Sequence, residues 1–176
     1  MSRSLFVVLL SLGVAAAIAA CNSSSTSPSV PTETFRATLN GANEVPARTT
    51  PATATADFTL RRDTLRWAVS MSSITNVTAS HIHTGAPGVN GGIILPLTPG
   101  TSGVNNTLIT GFVTRGTYQP PASPNQAVTF DSLLALMRNG NSYVNVHTSD
   151  PTKTTHNTGP GDFPGGEIRG QLAKTS

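Results

Sequence analysis

The chain has 176 residues, 11% of them charged, and a formal net charge of +3. Its high isoelectric point, near 9.6, therefore reflects a thinly charged surface and not a basic patch. Arg61, Arg62 and Arg66 form the one cationic cluster, and they flank a turn at Arg62-Asp63, the pattern of a solvated hairpin end; nucleic acid is excluded as a partner. Cys21 is the only cysteine, so no intrachain disulfide can staple the fold and apolar packing has to hold it.

The first 20 residues, MSRSLFVVLLSLGVAAAIAA, place Arg3 before an apolar run that is too short for a membrane span of roughly 20 apolar residues. A small-residue exit follows, as in a secretory leader. The run ends in IAAC, which resembles the lipobox of bacterial lipoproteins. That resemblance implies cleavage after residue 20 and lipidation of Cys21, with stable anchoring because more than one acyl chain is attached. The expected location is the extracytoplasmic side of a bacterial membrane. Asn22 after the cysteine goes, in lipoproteins of the enterobacterial kind, with the outer membrane. Residues 21–34 are rich in Ser, Thr and Pro and read as a tether with nothing to bury. Loss of Arg3 with the leader leaves ten cations against eight acids.

Residues 35–173 have the size of one domain and read as all-β: a Greek-key antiparallel β-sandwich or barrel with one short helix. Short segments rich in β-branched and aromatic residues alternate with Gly, Pro, Asn and Asp; they are FRATLNG, ATADFTLRRDTLRWAVSMSS, ASHIHT, GIILPLT, NTLITGFVTRGTY, SYVNVHT and GGEIRGQLA. In TLRWAVSM, Leu65, Trp67, Val69 and Met71 occupy every second position, which marks a strand with one buried face. DSLLALMRNG departs from this period. Leu133, Leu134 and Met137 recur at helical spacing, Asp131 is a good N-cap and Gly140 stands where a helix-terminating glycine belongs.

Four separated motifs, FRATLNGANEVP, ASHIHTGAPGVNGGIILPL, FDSLLALMRNGNSYVNVHT and FPGGEIRGQL, occur in an order that resembles the CHRD domain, the module named after chordin and found in bacterial exported proteins. The resemblance covers essentially the whole of 35–173 and implies an extracellular β-sandwich. Two departures stand out: Ala47 follows Val45-Pro46 where a double proline is usual, and the loop before GGEIRGQL is long.

Of four histidines, His81 and His83 lie one residue apart on a strand and share a face, with Ile82 on the other. In SYVNVHT the same alternation puts Val144 and Val146 toward the core, and Tyr143, Asn145 and His147 away from it. If the two strands are neighbours, His81, His83 and His147 converge. Three neutral imidazoles suit zinc or copper, with His156, Asp150 or Asp162 of the long loop as a fourth donor. The arrangement also has a weaker similarity, of pattern only, to the copper side of copper/zinc superoxide dismutase, but there is no clear bridging histidine, zinc cluster or disulfide, and Arg169 is the one candidate steering charge.

The alternative is structural: ring N–H groups of HIHTGAPG hold the glycine-rich loop by donating to its carbonyls. Gly85, Gly88, Gly91 and Gly92 then mean tight turns with positive φ, and a phosphate loop is excluded because no helix N-terminus follows. Glu44 and Glu167 are expected in buried pairs with Arg36 or Arg169, in preference to acting as a catalytic pair. No G-x-S-x-G nucleophile motif occurs. The reading is thus a membrane-anchored binding or interaction module with a protein partner, not an enzyme; its alternative is an envelope copper- or zinc-binding protein.

Overall fold

The computed structural model describes residues 30–97, 105, 108–121 and 128–176; the leader, Cys21 and most of the tether lie outside them. The strands are β1 (Thr32–Asn40), β2 (Thr53–Arg61), β3 (Thr64–Ser72), β4 (Val77–Thr84), β5 (Ile93–Pro96), β6 (Leu108–Thr114), β7 (Ser142–Thr148), β8 (Ile168–Gln171) and β9 (Ala173–Lys174), with one helix, α1 (Phe130–Arg138), before β7. All pair antiparallel in the order β5-β4-β7-β8-β1-β2-β3-β6, with β9 beside β1. Sequence-distant strands thus become neighbours: β7 lies between β4 and β8, and β8 joins β1.

The period-two pattern makes the first half of the sheet. Phe35, Ala37 and Leu39 of β1, Ala54, Ala56, Phe58 and Leu60 of β2, and Leu65, Trp67, Val69 and Met71 of β3 are all buried on one face. Small faces large across the register, as in Ala54 opposite Met71 and Ala56 opposite Val69, which fills the interior without overpacking. The β2–β3 hairpin turns at Arg62-Asp63 as expected, with Arg62 in the left-handed region. The sheet then curls, and side chains bridge its far ends: Trp67 Nε1 donates to Leu97 O (3.2 Å) and the Tyr118 hydroxyl to Ile94 O (2.8 Å). The result is the all-β, barrel-like sandwich expected, with one helix.

α1 buries Phe130, Leu133, Leu134 and Met137 in the same core. Its N-cap is Thr129, whose hydroxyl accepts from Ser132 N, and not Asp131. Asp131 sits in the first turn, where a carboxylate favours the helix dipole, and binds Arg115 instead. Gly140 closes the helix with φ 66°, a conformation that suits glycine.

β1 begins at Thr32, so the last residues read as tether are strand. Glu33 is bound there by Arg138 and Lys174, which hold its carboxyl well down, at about 2. Arg36, expected beside a buried glutamate, pairs on the surface with Asp57 across the β1–β2 register.

Candidate functional site

The three strands β4, β7 and β8 have two buried faces of opposite character. Ile82, Val144, Val146 and Ile168 point into the apolar core. On the other face the register sets His81, Asn145 and Arg169 in one row, His83, Tyr143 and Gln171 in the next, and His147 beside Ala79. Alternation along a strand produces this block directly from HIH, YVNVH and IRGQ. Facing away from the apolar core does not mean facing solvent, however. The loops 41–50, 85–92 and 149–166 close over the block, and His83, Tyr143, Asn145, Glu167, Arg169 and Glu44 are all buried.

Within it the expected convergence takes place. One ring nitrogen from each of His81, His83 and His147 lies within 4.8 Å of the others, and the ring centroids form a nearly even triangle of 5.0, 5.6 and 5.8 Å. Two rings are locked from behind: His83 Nδ1–H donates to Gly91 O (3.0 Å) and His147 Nδ1–H to Pro164 O (2.9 Å). A ring that donates through Nδ1 keeps its Nε2 lone pair free. Those Nε2 atoms, with Nδ1 of His81, are buried and have no hydrogen-bond partner. Both ways of using a histidine thus coexist here, one nitrogen holding a loop and the other left over.

Burial keeps the trio neutral. It pushes His81 down to about 4, with the neighbouring imidazoles adding to the effect. It brings His83 to about 4 as well, against the Gly91 hydrogen bond, which pulls upward, and with the fields of His147 and Arg169 pushing further down. His147 is lowered by burial, opposed by its bond to Pro164. Neutral imidazole is the form that binds metals.

The two loops that supply the orienting carbonyls are held by buried charges from GGEIRGQ. Arg169 donates to Asn90 Oδ1, Ala86 O and Val89 O, which fastens the loop that carries Gly91. Its guanidinium lies 3.4 Å from the Tyr143 ring centre, and Tyr143 stacks on His83. Glu167 accepts from Thr50 Oγ1, Thr148 Oγ1 and Gly161 N, which fixes the loop that carries Pro164. The ion pairs expected for the two glutamates are therefore absent from Glu167, whose partners are hydroxyls and an amide. Glu44 receives a long bond from Asn145 Nδ2 (3.4 Å), and burial lifts its carboxyl to about 7 although Arg169 and Arg48 pull it down.

His156, Asp150 and Asp162 do not join the trio. His156 Nδ1 binds Asp162 Oδ1 at 2.8 Å, and Asp162 also accepts from the Thr158 hydroxyl and two backbone amides; together they shape the long loop. Of the glycines, Gly85 and Gly88 have positive φ as expected. Gly91 is needed for another reason: a Cβ there would meet Thr84 O at 1.8 Å, and only glycine brings its carbonyl so close to β4. The bond from His83 to the Gly91 carbonyl is the loop-holding contact expected of HIHTGAPG; the stacking of Tyr143, the hydroxyl and amide partners of Glu167 and the Pro164 carbonyl had no signal in the sequence beyond the alternation that put Tyr143 on the histidine face.

Fold and site together define an antiparallel sandwich that hides a histidine trio under its loops. Residues 35–154 match the CHRD domain family, and the chain belongs to it. Membership supports a role in binding or interaction. The sheet runs on past the matched span, since β8, with Arg169, lies between β7 and β1. No curated protein matches the chain.

Proposed function

We propose that this CHRD chain is an envelope-anchored metal-binding module that holds one copper or zinc ion on His81, His83 and His147. One observation carries the reading: one ring nitrogen from each of three neutral imidazoles lies within 4.8 Å of the others, and each of the three rings has a buried nitrogen without a hydrogen-bond partner. A buried polar atom left without a hydrogen bond costs about 1–3 kcal/mol, and three in one place point to an occupant. A metal at about 2.0–2.1 Å from each of three nitrogens sets them roughly 3.5 Å apart, so ligation draws the rings together by about 1 Å at the widest pair. The two carbonyl contacts are the orienting partners that metal-bound histidines commonly have. A role in docking another protein draws its support from family membership. Dismutase chemistry needs a metal open to a small anion, and the closed-over nitrogens favour holding a metal above turning over a substrate. Anchoring through lipid on Cys21 follows from the leader and is part of the proposal.

The test is calorimetric titration of Zn2+ and Cu2+ into the full chain with Cys21→Ser, which removes its only thiol, against the same chain with His81→Ala/His83→Ala. One ion per chain, lost in the double variant, is the expected result. A folded chain that binds neither ion refutes the reading and leaves the histidines as loop-holding residues. Release of Cys21→Ser from the membrane fraction, with the parent retained, tests the anchor.

A further inference from the structure

Imidazole accommodates zinc and copper alike, so donor type does not choose between them. Coordination number and charge do, and both are set by the chain. Among the described residues the cluster contains three histidines and no carboxylate or thiolate. The acids closest in sequence and expected as a fourth donor, Asp150 and Asp162, are engaged inside their own loop. The three free nitrogens are buried. The cleft of about 310 Å³ on the same side of the molecule is lined by Glu44, Arg169 and Gln171 among others, and by no histidine. Zn2+ in a protein is almost always four-coordinate, and Cu2+ prefers four donors near a plane. The trio supplies three donors, one short of either need, and among the described residues no fourth protein donor stands with them.

The electrostatics point the same way. Three neutral ligands cancel none of a cation's charge. The permanent cation Arg169 acts on His83 across the Tyr143 ring, because β7 lies between β4 and β8. Burial makes Glu44, which bonds Asn145 in the same row as His81, a weak source of negative charge. Each additional unit of positive charge in such a site is disfavoured, more so in a water-poor interior than at a surface. We infer that the trio is built for a monovalent, three-coordinate copper ion, Cu+, in preference to Zn2+ or Cu2+. This rests on the metal-binding reading and narrows it: the chain holds reduced copper in the envelope, and its partner is a donor or acceptor of Cu+. Binding is simple ligation of three neutral nitrogens, with no electron transferred.

The experiment uses the full chain with Cys21→Ser in detergent. Cu+ is supplied anaerobically with excess reductant and competed with a colorimetric Cu+ chelator; Zn2+ and Cu2+ are competed in parallel with chelators of known affinity. X-ray absorption at the copper edge then counts the ligands. The expected result is one Cu+ per chain, held more tightly than either dication, with three nitrogen scatterers near 2.0 Å and complete loss of binding in His81→Ala/His83→Ala. If Zn2+ or Cu2+ binds as tightly as Cu+, or Cu+ shows a fourth ligand, the inference falls and the metal-binding reading survives. If a chain with native circular dichroism binds none of the three, both fall. The ligand count is made on the unaltered site, so a variant that fails to fold leaves the test intact.

Discussion

The two faces of β4, β7 and β8 are made by alternate residues of the same strands, yet they are held by different physics. Ile82, Val144, Val146 and Ile168 need only shape and apolar surface. Behind them, His83, Asn145, Glu167 and Arg169 are buried under loops, with His81 and His147 half-buried beside them, and each buried polar group must find partners or pay for their absence. Glu167 and Arg169 find them and so hold loops; in the histidine trio two ring nitrogens find a carbonyl and three buried ones find nothing. The comparison teaches that alternation tells which side a residue takes but not whether that side is wet.

The largest break should come on the apolar face. Ile82→Ala empties a fully buried site and is expected to cost about 2–5 kcal/mol in denaturant unfolding. Chains that remain folded should bind metal as before, because the histidines beside it keep their carbonyl contacts. Loss of metal affinity out of proportion to the folded fraction would show that the two faces are not separable.

On the polar face the effect should divide between stability and binding. Arg169→Lys keeps the charge but cannot span Asn90 Oδ1, Ala86 O and Val89 O with one flat fork. Metal affinity should fall about 10–100-fold, as is typical when an orienting partner is disturbed. Faster amide exchange at Thr84 and Val89, which bond within that loop, should accompany it. Glu167→Gln sets an amide among three donors and should cost about 1–3 kcal/mol through the Pro164 loop. Equal stability losses with unchanged metal affinity would make both residues loop fasteners only.

This division also explains what was legible in the sequence. Leu65, Trp67, Val69 and Met71 could be read because one alternating face and one core settle a strand. The meeting of His81 with His147 depended on two strands about 65 residues apart becoming neighbours, which alternation made plausible and only the topology decides. Burial was expected of Glu44 and Glu167 and is found, but the closing of three long loops over the histidines was not legible, since no period marks a loop's path. Likewise Thr129 took the cap from Asp131 because Arg115, distant in pattern but near in space, offered that carboxylate an ion pair.

Acid gives a smaller and more selective break. In metal-free protein His81 and His83 stay neutral down to about 4, while the unfolded chain takes up protons at the ordinary 6.5. The unfolded state therefore binds more protons between those values, and stability must fall as pH drops from 6.5 toward 4. Glu44 acts in the opposite sense. Its folded carboxyl holds a proton up to about 7 against an ordinary 4.5, so its contribution is full below 4.5 and is lost as pH rises through 7. Three lowered histidines, His147 among them, against one raised glutamate leave a net acid loss over 4.5–6.5, while Glu33 is held down at about 2 in the folded chain. Urea midpoints at pH 6.5 and 4.5 should show it. His81→Ala/His83→Ala should flatten the slope and Glu44→Gln should steepen it; an unchanged slope in both would mean that the block is hydrated.

The smallest effect expected is at Arg36. It pairs with Asp57 across β1 and β2 at 2.6 Å, but both side chains stand largely in water, where an ion pair gains little over its two solvated charges. Arg36→Ala should leave the urea midpoint and the metal affinity where they were, at low salt and at high. The change removes a charged hydrogen bond nearly as short as the shortest in the polar face, so the difference from Glu167→Gln isolates burial as the cause. A loss at Arg36 as large as at Glu167 would mean that charge, wherever it stands, holds this sheet together, and the contrast between wet and dry polar groups would fail.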